Sequence, residues 1–220
     1  MPKCKENKRF NNIKNINERI RSEICNDTIN KLKDKNLMDE YKECRSVKNK
    51  IKTLENVLEN NDINICKRTK IIKDYIMELI PAGTKGVIRG NKFNEIVKET
   101  IKNMYLDKKR YVIRFEKRCD LVYTSEIPDW YILEKNTNKV LIGMNQLDLW
   151  SGGQQLNRGF KYLIDNVINT EDSKLLCVVC NKIHFRSDKI KVFNLFKVGF
   201  TNDTLCYLGN LHNIIEGFFN

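Results

Sequence analysis

Long apolar runs are missing from this chain. None of its hydrophobic stretches approaches the roughly 18 residues a membrane-spanning helix needs, so no membrane partner is expected. Residues 1–14 are polar and basic, which predicts no secretory leader. Cys4, Cys25, Cys44, Cys66, Cys119, Cys177, Cys180 and Cys206 follow no framework spacing. That argues against the disulfide scaffold of small secreted domains and predicts reduced thiols in the cytoplasm. Cys177-Val178-Val179-Cys180 resembles half a zinc knuckle, but no second Cys or His pair completes it. It lies in an apolar strand, where residues three apart point to opposite faces, so both thiols are expected to be buried and structural. The two histidines, His184 and His212, stand alone, and a lone His is more often structural than catalytic. The Gly-x4-Gly-Lys-Ser/Thr phosphate loop of nucleotide triphosphatases is absent.

What the chain does have is positive charge. A net charge of +12 and a pI near 9.3 favour a polyanionic partner, nucleic acid before any other. An apolar content of 41% fits a folded chain, and 220 residues hold one good-sized core plus an appendage.

The first 80 residues read as a helical region. Ile13, Ile16, Ile20 and Ile24 recur at helical spacing, as do Cys44, Val47, Ile51, Leu54 and Leu58. The second set is too short to define a coiled coil and predicts a helical hairpin first, a dimerisation or DNA-clamping arm second. Asp62 is the expected N-cap of a helix that runs through Leu79 and is ended by Pro81. Residues 81–220 read as α/β. They begin with a glycine-bearing stretch, Pro81 to Lys92, in which Gly83, Gly86 and Gly90 would let backbone N–H groups approach an anion. Lys85, Arg89 and Lys92 add charge there, and a nucleic-acid phosphate is the expected ligand.

The most informative stretch runs from Ser125 to Leu163. Pro128-Asp129 opens a short apolar run, Trp130 to Leu133. Asn136-Thr137-Asn138 is turn chemistry between two strand-like segments. Val140-Leu141-Ile142 reads as a buried strand with Asn145, Gln146 and Asp148 at its far end. A carboxylate at one strand's start can converge with polar groups at the end of its hairpin partner, which is how a sheet builds a metal-assisted hydrolytic site. Ser151-Gly152-Gly153 then opens a helix on which Gln154, Gln155, Arg158 and Lys161 suit phosphate and base-edge contacts.

These residues resemble the PD-(D/E)XK nuclease superfamily, type II restriction endonucleases most of all, from about Pro81 to His184. The family core runs helix, three strands, helix, strand, with a mixed sheet flanked by helices. Here the pieces are Asn91–Tyr105, Arg110–Glu116, Pro128–Leu133, Val140–Leu147, Gln154–Val167 and Lys174–Asn181. The resemblance implies a magnesium-dependent endonuclease, with manganese as an alternative ion, that hydrolyses phosphodiester bonds in duplex DNA. Asp129 matches the family Asp in its Pro-Asp setting. The family Glu-x-Lys is not matched. The hydrophobic pattern puts Gly143 and Asn145 at those positions; a one-residue shift puts Met144 and Gln146 there, and a three-residue shift Gln146 and Asp148. Asn145 and Gln146 are therefore joint catalytic candidates beside Asp129, with Asp148 a relocated metal carboxylate. The resemblance also implies a helix Glu reaching the metal through water, and Glu95 fits better than Glu99. Glu134 is weaker, because strand alternation sets it opposite Asp129. The unmatched motif leaves a second reading, a DNA-binding protein with a decayed site on the same scaffold. Two-fold DNA sites would by analogy imply a homodimer.

Overall fold

The protein's computed structural model describes residues 3–34, 39, 42–149, 161–163, 168–181 and 190–220. They form an α/β structure in which helices flank a five-stranded mixed sheet. Contacts divide the chain into two compact units, residues 23–92 and residues 1–22 with 93–220. This division does not follow the 80/81 boundary read from the sequence, because the first turns of one helix and the last turns of another belong to the sheet unit.

Residues 23–92 are helical. The unit takes in the end of α1 (Lys3–Lys33), then α2 (Arg45–Asn60), α3 (Ile65–Leu79) and the beginning of α4 (Ala82–Lys102). Helices α2 and α3 pack as a hairpin. Val47 is buried, and Lys50 Nζ donates to the Leu79 carbonyl at 3.2 Å. The cap of α3 is Asn64, whose side chain accepts from Lys67 N–H at 3.0 Å. Asp62, expected there, instead takes a positive φ of 56° in the turn, a conformation Asp tolerates because its short polar side chain can bond locally. The larger correction concerns Pro81 to Lys92. It is helix, not an anion-cradling loop. Its backbone N–H groups beyond the first turn are spent on the i→i−4 ladder, and Gly83, Gly86 and Gly90 face open space.

The sheet unit holds β1 (Tyr111–Phe115), β2 (Trp130–Glu134), β3 (Val140–Gln146), β4 (Ser173–Val179) and β5 (Leu205–Tyr207) in that spatial order. The first three form an antiparallel meander; β4 runs parallel to β3, and β5 parallel to β4. Parallel neighbours need a crossover. The β3–β4 crossover includes a helical turn at residues 161–163, and the β4–β5 crossover is α5 (Ile190–Thr201). One sheet face carries Val140, Ile142 and Met144 with Leu175, Cys177 and Val179, and buries them with Tyr162, Leu163, Leu195 and Phe196. The other face is covered by the second half of α4, through Phe93, Val97 and Ile101, and by α6 (Leu211–Phe219), whose Phe219 ring meets Tyr111 edge-on. Cys177 and Cys180 are both buried as expected. Burial pushes the Cys180 thiol up to about 12, and the Cys177 thiol higher still, where the charge of Asp129 adds to it.

Candidate functional site

Asp129 stands immediately before β2. Buried Pro128 precedes it, and the loop from Glu116 leads into it. That loop is tied down along its length. Arg118 donates to the Thr124 carbonyl, and the Thr124 hydroxyl donates to the Glu126 carbonyl at 2.7 Å. The Glu126 carboxylate accepts from Lys161 Nζ at 2.8 Å and from the Tyr162 hydroxyl at 2.6 Å. Backbone bonds finish the placement: Asp129 N–H donates to the Gly143 carbonyl, and the Asp129 carbonyl accepts from Glu116 N–H.

The Asp129 carboxylate is the centre of a hydrogen-bond network. Its Oδ1 accepts from the Asn94 amide at 3.0 Å and its Oδ2 from the backbone N–H of Asn145 at 2.6 Å. The Asn145 amide donates to Asn94 Oδ1 at 3.1 Å, and Asn145 Oδ1 accepts from the indole N–H of Trp130 at 3.1 Å. Three elements thus meet at one point: α4 through Asn94, the start of β2 through Asp129 and Trp130, and the end of β3 through Asn145. Buried polar groups linked in this way hold one another in place.

Other sequence candidates fall elsewhere. Gln146 alternates with Asn145 and so lies on the opposite sheet face. Glu95 is exposed on α4; the α4 side chain at Asp129 is its neighbour Asn94, a helical step of about 100° away. Asp148 is buried, but its carboxylate is paired with Arg21 of α1, which also donates to the Cys180 carbonyl at 3.0 Å. A guanidinium therefore already meets the charge expected to hold a metal there. Lys161 is paired with Glu126 rather than turned wholly to solvent. Glu134 is buried at the β2–β3 hairpin, where Thr137 and Arg110 bond its carboxylate. Their hydrogen bonds, Thr137 first, hold it below the usual carboxylate range. Lys85, Arg89 and Lys92 belong to the helical unit, where helical spacing of four and three sets them along one stripe of α4. Lys85 lies 3.7 Å from Glu78, and Lys92 3.7 Å from Glu23. Gln154, Gln155 and Arg158 lie outside the described residues, as does His184 with its neighbours Lys182 and Arg186.

Three participants were not singled out from the sequence: Asn94, Trp130 and Arg21. Their signals are faint but physical. Asn94 follows buried Phe93 at the edge of an apolar helix face. Arg21 and Asn17 are polar residues inside the Ile13–Ile24 stripe, and each bonds the chain beyond β4, Arg21 at Cys180 and Asn17 at Asn181. Trp130 pairs directly with Gly143 across β2 and β3, and its indole fills the space over that glycine.

As a donor set the cluster is small: Asp129 brings a carboxylate, and the amide oxygens of Asn94 and Asn145 already accept hydrogen bonds. Magnesium takes hard oxygens, and one or two carboxylates with water and substrate phosphate suffice. Among the described residues no group of three or more His, Cys, Asp or Glu is placed to hold a metal ion. Comparison with protein-family models, curated proteins and solved structures returned no match.

Proposed function

We propose that this protein is a magnesium-dependent DNA endonuclease of restriction type, acting on phosphodiester bonds of duplex DNA. The observation that carries the reading is the meeting of Asp129 with Asn145 and Asn94. The acid that opens β2 and the polar end of β3 converge, joined by a helix preceding β1. The meander β1–β2–β3, followed by a crossover to a parallel β4, supports the restriction-endonuclease-like core. A net charge of +12 supports a polyanionic substrate.

In this reading Asp129 holds the ion, with manganese able to replace magnesium. Bound metal would lower the pKa of a water and stabilise charge developing on the phosphate. Asn94 and Asn145 orient the carboxylate through both of its oxygens. Neither amide can act as a general base at neutral pH, and β3 carries no lysine, so proton removal depends on the ion more than on this chain. The Lys85–Arg89–Lys92 stripe positions DNA through phosphates without reading sequence. Recognition of two-fold DNA sites would fit a homodimer.

A second reading has its own observation. The Trp130 indole sits where a side chain at position 143 would begin, and among the described residues no group of three or more acids, His or Cys is placed to hold a metal ion. Both favour a DNA-binding protein whose catalytic site has decayed on the same scaffold. Incubation of the purified chain with long duplex DNA of varied sequence and magnesium separates the two. Cleavage supports the endonuclease; a metal-free gel shift without cleavage supports the binding protein.

A further inference from the structure

Strand β1 is the edge of the sheet, and a cleft of about 260 Å³ runs along four of its residues. Tyr111, Val112, Ile113 and Arg114 line it with Lys108 and Lys135. The lining thus combines a strand backbone, aliphatic side chains and three cations, with no acid among them. The carboxylates adjacent in sequence to the two lysines are committed elsewhere: Asp107 accepts from Lys109 N–H at 2.8 Å, and Glu134 is held by Arg110 and Thr137.

The backbone register says which groups face outward. Lys135 N–H bonds the Arg110 carbonyl and Glu116 N–H bonds the Asp129 carbonyl. In an antiparallel pair such bonding residues alternate, so Val112 and Arg114 direct their amides to β2, and Tyr111, Ile113 and Phe115 direct theirs to the open edge. Tyr111 N–H is taken by the Asp107 carbonyl at 2.8 Å. The Ile113 carbonyl accepts from the guanidinium of Arg114 at 3.1 Å. Arg114 therefore folds back onto its own strand, at a carbonyl that a neighbouring strand would otherwise use.

We propose that this edge binds an extended acidic peptide by strand addition. An incoming backbone N–H takes the Ile113 carbonyl, which releases Arg114 to meet a carboxylate of the peptide. Lys108 and Lys135 meet others, and the alternate, apolar side chains of the peptide lie on the opposite face beside Tyr111 and Ile113. Strand addition draws affinity from main-chain bonds and specificity from alternate side chains. Charge selects the partner. Two copies of β1 paired antiparallel about Arg114 would set that cation against its own copy, and like charges across strands destabilise a pair. Cations on an edge strand also deter self-association, so a free edge and an acid-selective edge follow from the same side chains.

The test uses fluorescence anisotropy of the full chain with a short fluorescein-labelled peptide of alternating glutamate and valine. A control peptide has the same charge with proline replacing its central valines, and so lacks the pairing N–H groups. The expected result is saturable binding of the first peptide and at least tenfold weaker binding of the second. Arg114→Glu should weaken the first at least tenfold and favour a lysine–valine peptide. Ile113→Pro removes only an outward-facing N–H, leaves the β2 ladder intact, and should also weaken binding; circular dichroism verifies that both variants fold. Equal binding of the two peptides would mean charge alone acts and would overturn strand addition. Absence of binding, or displacement of the peptide by duplex DNA with no effect of Ile113→Pro, would overturn it as well.

Discussion

The indole of Trp130 occupies the space in which a side chain on Gly143 would begin: a Cβ there would lie 1.8 Å from the ring. The two residues pair directly across β2 and β3. Trp130 is 1% exposed and donates its N–H to Asn145, so the glycine is a steric requirement of the Asp129 network. Gly143→Ala should displace the ring and break that bond. Overpacking of a filled core costs about 1–3 kcal/mol. Chemical denaturation should show this loss, with a changed tryptophan emission. An unchanged midpoint and spectrum would mean the ring is not seated there. For the same reason, Gly143→Glu should not improve nuclease activity.

The Asn94 amide has a defined task. Asn94→Ala removes one donor to Asp129 Oδ1 and the acceptor of the Asn145 amide. The expected cost is about 1–3 kcal/mol of stability, and a larger fall in cleavage rate than in DNA affinity. Asn94→Asp would place two carboxylates together and should be worse than alanine unless magnesium is present. Equal stability of the two variants without metal would contradict the network.

Arg21 and Asp148 form another polar link of the sheet unit. Removing one partner of this part-buried pair loses a charged hydrogen bond, at a cost of about 1–3 kcal/mol. Asp148→Asn and Arg21→Met should each destabilise, and the double variant should lose less than the sum. Additive losses in a double-mutant cycle would contradict the pairing.

Glu134 gives an acid-sensitive contribution to folding. Its folded pKa lies below the ordinary 4.5, because Thr137 and then Arg110 bond the carboxylate. A depressed pKa stabilises the fold above the unfolded value, and that stabilisation is lost as pH falls through the folded one. Glu134→Gln should therefore lower stability at neutral pH and flatten the decline below about pH 4.5. An acid limb as steep as that of the unaltered chain would exclude this role.

The order of the elements that the structure describes was legible because periodicity is local; the expected helix Gln154–Val167 is described only at residues 161–163. Ile13–Ile24, Tyr111–Ile113 and Val140–Ile142 each carry their pattern within a few residues. Pro81–Lys92 misled, since three glycines signal a turn, yet a helix anchored by buried Phe93, Val97 and Ile101 propagates back through them. Asp129 and Asn145 could be named because a Pro-Asp step and a polar strand end are local signals too. Asn94, the Trp130 plug over Gly143 and the Arg21–Asp148 pair could not. Each depends on cross-chain register, and the Arg21 and Asp148 positions are 127 residues apart.

If the Lys85–Arg89–Lys92 stripe binds DNA, replacing all three by alanine should weaken binding to every sequence alike. It should also flatten the dependence on salt, by roughly one unit of log–log slope for each phosphate no longer neutralised. Gel shifts at several salt concentrations read both quantities. An unchanged affinity and slope would remove the stripe from the interface.

The central claim rests on Asp129, and the most direct test compares the unaltered chain with Asp129→Asn in cleavage of long duplex DNA across a magnesium or manganese titration, with metal-free gel shifts alongside. The account predicts that the unaltered chain cuts with a steep dependence on metal concentration, and that the variant binds DNA almost as well but does not cut. Cleavage by Asp129→Asn at the unaltered rate, or no cleavage by the unaltered chain at any metal concentration, would contradict it.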